Sequence, residues 1–357
     1  MVVTYVAGNR AIGTNAERLA LNSPYLASGV GGWKELGRVS GTTDPLSVTS
    51  LANKRYYMLL NVGYAGSGNA ESYIYLNNDT GTNFANRSNY NGGADGTETS
   101  VAWFRWGEGA TNNNNDRFTV GFLSNYSTKE KLGIYHEVQR NTAGAGNSPN
   151  RFEGVGKWTN TTNAISSIYY GNRNGTDWGT GTEMVVLGWD PADTHTTNFW
   201  TELASTTLSS TASTIDSGTI PAKKYLWIQA FVKQASTYTV GLQFNSDNTS
   251  SYAIRYSGNG GADGTSINTW KCASNYSSFG GGMFLNAFII NNQSKEKLVI
   301  SHTNEVDTTG AGAASNRIEM VGKWANTSNQ ITSIQLRKET GTGDLQSGTI
   351  MKVWGSN

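Results

Sequence analysis

The chain has 357 residues, a net charge of +1 and only 15% charged residues. That balance argues against electrostatic capture of nucleic acid and against a basic membrane-binding surface. The length suits two domains better than one core, and 43 Gly beside 11 Trp and 17 Tyr describe a folded, turn-rich chain, not a disordered one.

Taken in chain order, residues 1–32 read as an N-terminal arm or anchor. Within it AERLALN (16–22) is the one convincing helical turn, ended by Ser23-Pro24. The start, MVVTYVAGNRAIG, lacks a basic segment followed by an apolar one, so no secretory signal is expected. No run approaches the length of a membrane span. Cys272 is alone, which leaves no disulfide framework within one chain.

From Trp33 onward, short apolar bursts alternate with Gly/Asn/Ser/Thr clusters, the punctuation of many short strands. The pattern is written twice. KEKLGIYH (129–136) answers KEKLVISH (295–302), NRFEGVGKW (150–158) answers NRIEMVGKW (316–324), and NGGADG at 91–96 recurs at 259–264. WKEL (33–36) resembles WTEL (200–203). The period is that of a whole domain. It divides the chain into copy one (33–191), a polar linker (192–199) and copy two (200–357). About eight strands per copy are predicted, with no βαβ alternation. The expected fold is all-β: two tandem antiparallel β-sandwich, jelly-roll-like domains behind a short N-terminal arm.

Read as a strand, NRIEMVGKW places Ile318, Met320, Gly322 and Trp324 on one face and Arg317, Glu319, Val321 and Lys323 on the other. Copy one repeats the charged row as Arg151, Glu153 and Lys157. Arg and Glu two apart on one face are about 6–7 Å apart, close enough to pair. Arg151, Glu153, Lys157, Arg317, Glu319 and Lys323 are therefore the candidate interface, with a solvated charge ladder as the plainer reading.

Catalytic signals are sparse. His136 and His302 are repeat equivalents and share their strand faces with Leu132/Ile134 and Leu298/Ile300, which reads as core histidines. His195 lies in the linker without a counterpart. The acids kept in both copies (Glu130/Glu296, Glu153/Glu319, Glu35/Glu202 and Asp95/Asp263) sit beside Lys, Arg or Gly turns, which favours ion pairing or turn capping over a glycosidase pair. NGGADG reads as a tight turn closed by its Asp. LNND (76–79) and FNSDN (244–248) supply too few oxygens for Ca²⁺. No hydrolase, metalloprotease or nucleotide motif occurs. No enzyme activity, metal or cofactor is expected.

The combination of WxEL, KEKLxIxH, AGAG followed by NRxExVGKW, and NTSNQI resembles virion structural proteins of marine tailed phages, over residues 33–357. The resemblance implies jelly-roll modules of a decoration protein or a tail or fibre part, released from the host cytoplasm on lysis. A homo-oligomer, dimer or trimer, is expected because isolated sandwiches leave edges and aromatic surface to cover, with the arm (Arg10, Glu17 and Arg18 among small and apolar residues) anchoring it to capsid or tail proteins. The alternative is a carbohydrate-binding module or adhesin that stacks host surface glycans on Trp103, Trp106 or Trp178.

Overall fold

The computed structural model describes residues 32–66, 69–109, 116–191, 193, 197–233, 238–269, 272–274, 282–306, 310–341 and 343–357. The helical turn expected at 16–22 and the linker histidine His195 lie outside these residues. The described residues contain strands and no helix.

Copy one contributes β1 (Lys34–Ser40), β2 (Leu46–Val48), β3 (Tyr56–Gly63), β4 (Ser72–Leu76), β5 (Phe84–Tyr90) and β6 (Gly96–Val101). It continues with β7 (Phe104–Arg105), β8 (Arg117–Ser124), β9 (Lys131–Gln139), β10 (Asn150–Trp158), β11 (Ile168–Asn172) and β12 (Glu183–Trp189). Copy two contributes β13 (Thr201–Thr207), β14 (Thr214–Asp216), β15 (Tyr225–Val232), β16 (Tyr238–Phe244), β17 (Tyr252–Gly258) and β18 (Gly264–Thr269). It ends with β19 (Cys272–Ser274), β20 (Gly282–Ile290), β21 (Lys297–Val306), β22 (Asn316–Trp324), β23 (Ile334–Gly341) and β24 (Ile350–Ser356).

Each copy is an antiparallel sandwich of one eight-stranded and one four-stranded sheet. The orders are β1-β12-β3-β8-β9-β10-β5-β6 with β2-β11-β4-β7, and β13-β24-β15-β20-β21-β22-β17-β18 with β14-β23-β16-β19. The second set repeats the first strand for strand. Twelve strands per copy replace the eight expected. The additional ones, such as TELASTT (β13) and GTSINT (β18), are sheet edges with little apolar content, so alternation alone does not reveal them.

Three apolar clusters hold the molecule together. One fills the sandwich of copy one, with Leu59, Ile74, Phe104, Phe152 and Trp158 among its members. One fills copy two, with Ile228, Leu242, Ile318, Met320 and Trp324. The third lies between the copies: Leu60, Val62, Phe118, Val120 and Val138 of copy one are buried with Tyr225, Trp227, Phe288, Ile300 and Val321 of copy two. The two eight-stranded sheets thus pack outer face to outer face.

The repeated strings prove to be one structural clamp made twice. The indole N–H of Trp158 donates to Asp79 at 2.7 Å, and that of Trp324 donates to Asp247 at 2.7 Å. Those aspartates belong to LNND and FNSDN. Their turns need φ > 0 at Asn77/Asn78 and Asn245/Ser246, a region that favours Asn over bulkier residues. Lys131 and Lys297 are fully buried with their ammonium groups 5.5 and 5.7 Å above the two indoles, donating to the carbonyls of Asn160 and Asn326. Burial holds the Lys297 ammonium down to about 8. KEK, the LNND-type turn and KW therefore recur together because each supplies one part of a single buried contact.

Candidate functional site at the seam between the copies

Strand pairing sets up the site. In copy one β9 runs against β10 with His136 opposite Glu153, and in copy two β21 runs against β22 with His302 opposite Glu319. These side chains stand on the outer sheet faces, and face-to-face packing brings the two pairs together. The imidazoles of His136 and His302 meet edge to face, with ring centroids 4.4 Å apart. His136 Nδ1 lies 3.9 Å from Glu153 Oε1. Expected as core histidines, they are half-buried seam residues. The Leu132/Ile134 and Leu298/Ile300 faces are likewise outer faces and not sandwich cores.

Arg151 organises the surrounding charge. It pairs with Glu153 on its own strand, with Glu319 across the seam at 3.5 Å, and with Asp263 of the copy-two NGGADG turn at 2.6 Å. Those carboxylates hold its guanidinium above its ordinary value, although burial opposes them. Burial, and then repulsion from Arg151, hold His136 down to about 4. His302 is held down to about 3 by burial and then by His136. Both rings are therefore neutral near pH 7. Burial, with Glu153 beside it, raises Glu319.

Four of the six predicted interface residues, Arg151, Glu153, Arg317 and Glu319, line one polar cleft of about 290 Å³ flanked by both NGG turns. Lys323 is buried elsewhere on the seam, donating to the carbonyls of Arg140 and Thr142 at 3.2 and 2.5 Å. Lys157 stays exposed, paired with Glu130 at 3.2 Å. The row is thus divided: part joins the two copies and part faces solvent.

Asp263 does not close its own turn but reaches Arg151, and Asp95 pairs with Arg87 at 3.6 Å. In copy one Gly92 N–H donates to Asn89 instead. Asp79 and Asp247 accept from indole N–H groups, which directs their carboxylates into the clamp. Trp106 and Trp178 are 0% and 1% exposed, so neither offers a face to a sugar. The His–Glu grouping escaped sequence reasoning. The spacing was legible, since a hairpin joining β9 to β10 aligns His136 with Glu153, but the meeting of the two copies was not.

No family model matches the sequence, and no curated protein matches it. Among solved structures, the LG4-5 domains of the mouse laminin alpha1 chain are 10% identical over 91% of this chain and 90% of that one, with a TM-score of 0.19. A223, a turret protein in Sulfolobus turreted icosahedral virus, is 11% identical over 90% and 97%, with a TM-score of 0.12. Neisserial surface protein A is 6% identical over 80% and 99%, also at 0.12. Likenesses this faint identify no relative.

Proposed function

We propose that this chain is a non-enzymatic structural and interaction protein of a phage particle, and that it assembles with further copies of itself through a bare sheet face of copy one. The particle assignment rests on the sequence resemblance. The self-assembly reading rests on one asymmetry. Leu298, Ile300 and Val321 of copy two are each 2% exposed, while their equivalents Leu132, Ile134 and Val155 are 56%, 55% and 47% exposed.

Copy two's face is covered by copy one. Phe118, Val120 and Val138 share its cluster, and the hairpin after β9 closes over its end. There Glu296 accepts from Gly144 N–H at 2.6 Å and Lys323 donates to Arg140 and Thr142. Copy one presents the same arrangement unused. Leu132, Ile134 and Val155 line a shallow groove of about 490 Å³, bordered by Lys157. The hairpin equivalent in copy two, residues 310–315, is exposed. Copy two also bares Phe231 and Phe284 on its outer face. A second chain's copy two would repeat on this groove the contact that the first chain already makes internally. Full burial of each aliphatic side chain is worth roughly 1.5–3 kcal/mol. Such an interface is heterologous, so it closes a ring or extends a filament.

Analytical ultracentrifugation tests this. Oligomers should form in the full chain and revert to monomer in the I134D/V155D variant, with the fold unchanged by circular dichroism. A wild-type chain that stays monomeric at high concentration overturns the self-assembly reading. The N-terminal arm is proposed as the attachment to capsid or tail proteins, and imaging the intact particle would place it.

A second reading has its own observation. Tyr73, Tyr75, Tyr169 and Trp103 form a row on the four-stranded side of copy one, with neighbouring rings 4.5–6.0 Å apart. Copy two has Gly241, Gln243 and Gln335 in the corresponding strands. An aromatic row of this kind suits a glycan surface, and binding on a glycan array that disappears in Trp103→Ala would support it.

A further inference from the structure

We propose that the seam holds one divalent transition-metal ion of the zinc class, ligated by His136, His302 and Glu153, with Glu319 as the fourth protein ligand. Two ligands would come from each copy, so the ion would staple β9–β10 to β21–β22.

The grouping has the donor set such an ion takes: imidazole nitrogen and carboxylate oxygen. One ligand atom from each of His136, Glu153 and His302 lies within 4.8 Å of the others. A tetrahedral zinc site with bonds near 2.0 Å spaces its ligand atoms about 3.3 Å apart. Side-chain rotations of about an ångström therefore close the cluster without moving the strands. Glu319 is opposite His302 in register, as Glu153 is opposite His136, which puts it on the same face beside the three; to ligate, its carboxylate would turn from Arg317, 3.3 Å away.

One further observation fits a cation. Neither imidazole makes a hydrogen bond among the described residues, although the two rings are pressed together at a protein–protein seam. Both residues keep part of their surface open to solvent, which gives an ion a path to the rings. Around them three acids (Glu153, Glu319 and Asp263) meet three arginines (Arg151, Arg255 and Arg317), so the fixed charges of the seam balance without an ion. Arg151 competes for Glu153 and Glu319, but its bond to Asp263 at 2.6 Å gives it a partner that the ion does not need. Arg151 would then sit behind the ligands and orient them.

The sequence separates this cluster from ordinary surface histidines. Both members are repeat equivalents, and His195, the third histidine in the chain, belongs to the linker. That supplies an internal control.

The test uses the full chain stripped with a chelator and titrated with Zn²⁺ by calorimetry, and with Co²⁺ by visible absorption. Expected is one equivalent per chain, a tetrahedral Co²⁺ spectrum and a rise in Tm with Zn²⁺. The H136A/H302A variant should bind at least about 100-fold more weakly, and Glu153→Gln about 10-fold more weakly, the range that loss of ligand-shell contacts produces. Circular dichroism confirms that both variants fold, as the apolar seam predicts. His195→Ala should bind as the parent does. No Zn²⁺ uptake, or uptake unchanged in H136A/H302A, overturns the proposal.

Discussion

Copy one and copy two share a strand order and a pair of indole clamps, yet they have opposite interiors and opposite exteriors. Inside copy one, Arg117 and Glu137 form a wholly buried ion pair at 3.6 Å, with Ser72 and Thr119 donating to Glu137 at 2.9 and 3.0 Å. Burial raises the Glu137 carboxyl despite these partners. The corresponding strand positions in copy two are Met283, Thr303 and Val240, largely apolar. Outside, copy two's sheet is covered and copy one's is partly bare. The comparison teaches that the clamp and the strand order define the module, while each face is free to diverge according to what it meets.

That view predicts where equivalent substitutions behave alike and where they part. The largest effect should be common to both copies. Trp158→Ala and Trp324→Ala each remove a core indole, and with it the aspartate's indole donor and the ring beneath the buried lysine, at about 4 kcal/mol apiece. Urea denaturation of the two variants measures this, and a cost in one copy only would break the equivalence.

Next comes a pair that should part. Arg151 is 4% exposed and its partner Asp263 2%, whereas Arg317 is 62% exposed. Arg151→Ala should cost about 3 kcal/mol, because it takes from buried Asp263 its closest cation and leaves only Arg255 at 3.9 Å. Arg317→Ala should cost under about 0.5 kcal/mol. Similar thermal midpoints for the two variants would show that the seam carries no such asymmetry.

The smallest effect is acid sensitivity. Burial alone would raise Asp79, but donors led by Trp158 hold it below its ordinary value. Thr249 and Trp324 do the same for Asp247 against burial. Groups lowered on folding stabilise the fold above their unfolded values near 3.8, and that contribution is lost as pH falls through the folded values. Stability should therefore decline below about pH 4. Asp79→Asn and Asp247→Asn should each flatten that decline by a similar amount in a pH series of thermal melts.

Much of the fold was legible because alternation and repetition are local signals. NRIEMVGKW sorts itself into a core face and a charged face by period two alone, and Ile318, Met320 and Trp324 do lie in the core. The edge strands β13 and β18 were not legible, since strands built mainly of Thr, Ser, Glu and Asn carry no clear apolar period. For the site, the residues were legible and their partners were not. Arg151 and Arg317 occupy the same place in the same motif, and only one meets an aspartate from the other copy.

The repeat, the strand periodicity and the turn chemistry determined that this chain forms two like sandwiches, because each depends on residues near one another along a strand or a hairpin. KEKLGIYH and KEKLVISH hold the same leucine, isoleucine and histidine in the same order. Tertiary structure alone decided that one leucine–isoleucine pair is buried and the other bare, and that the two histidines touch. Those outcomes depend on how one sheet lies across another, a relation between residues far apart in the chain that no local pattern encodes.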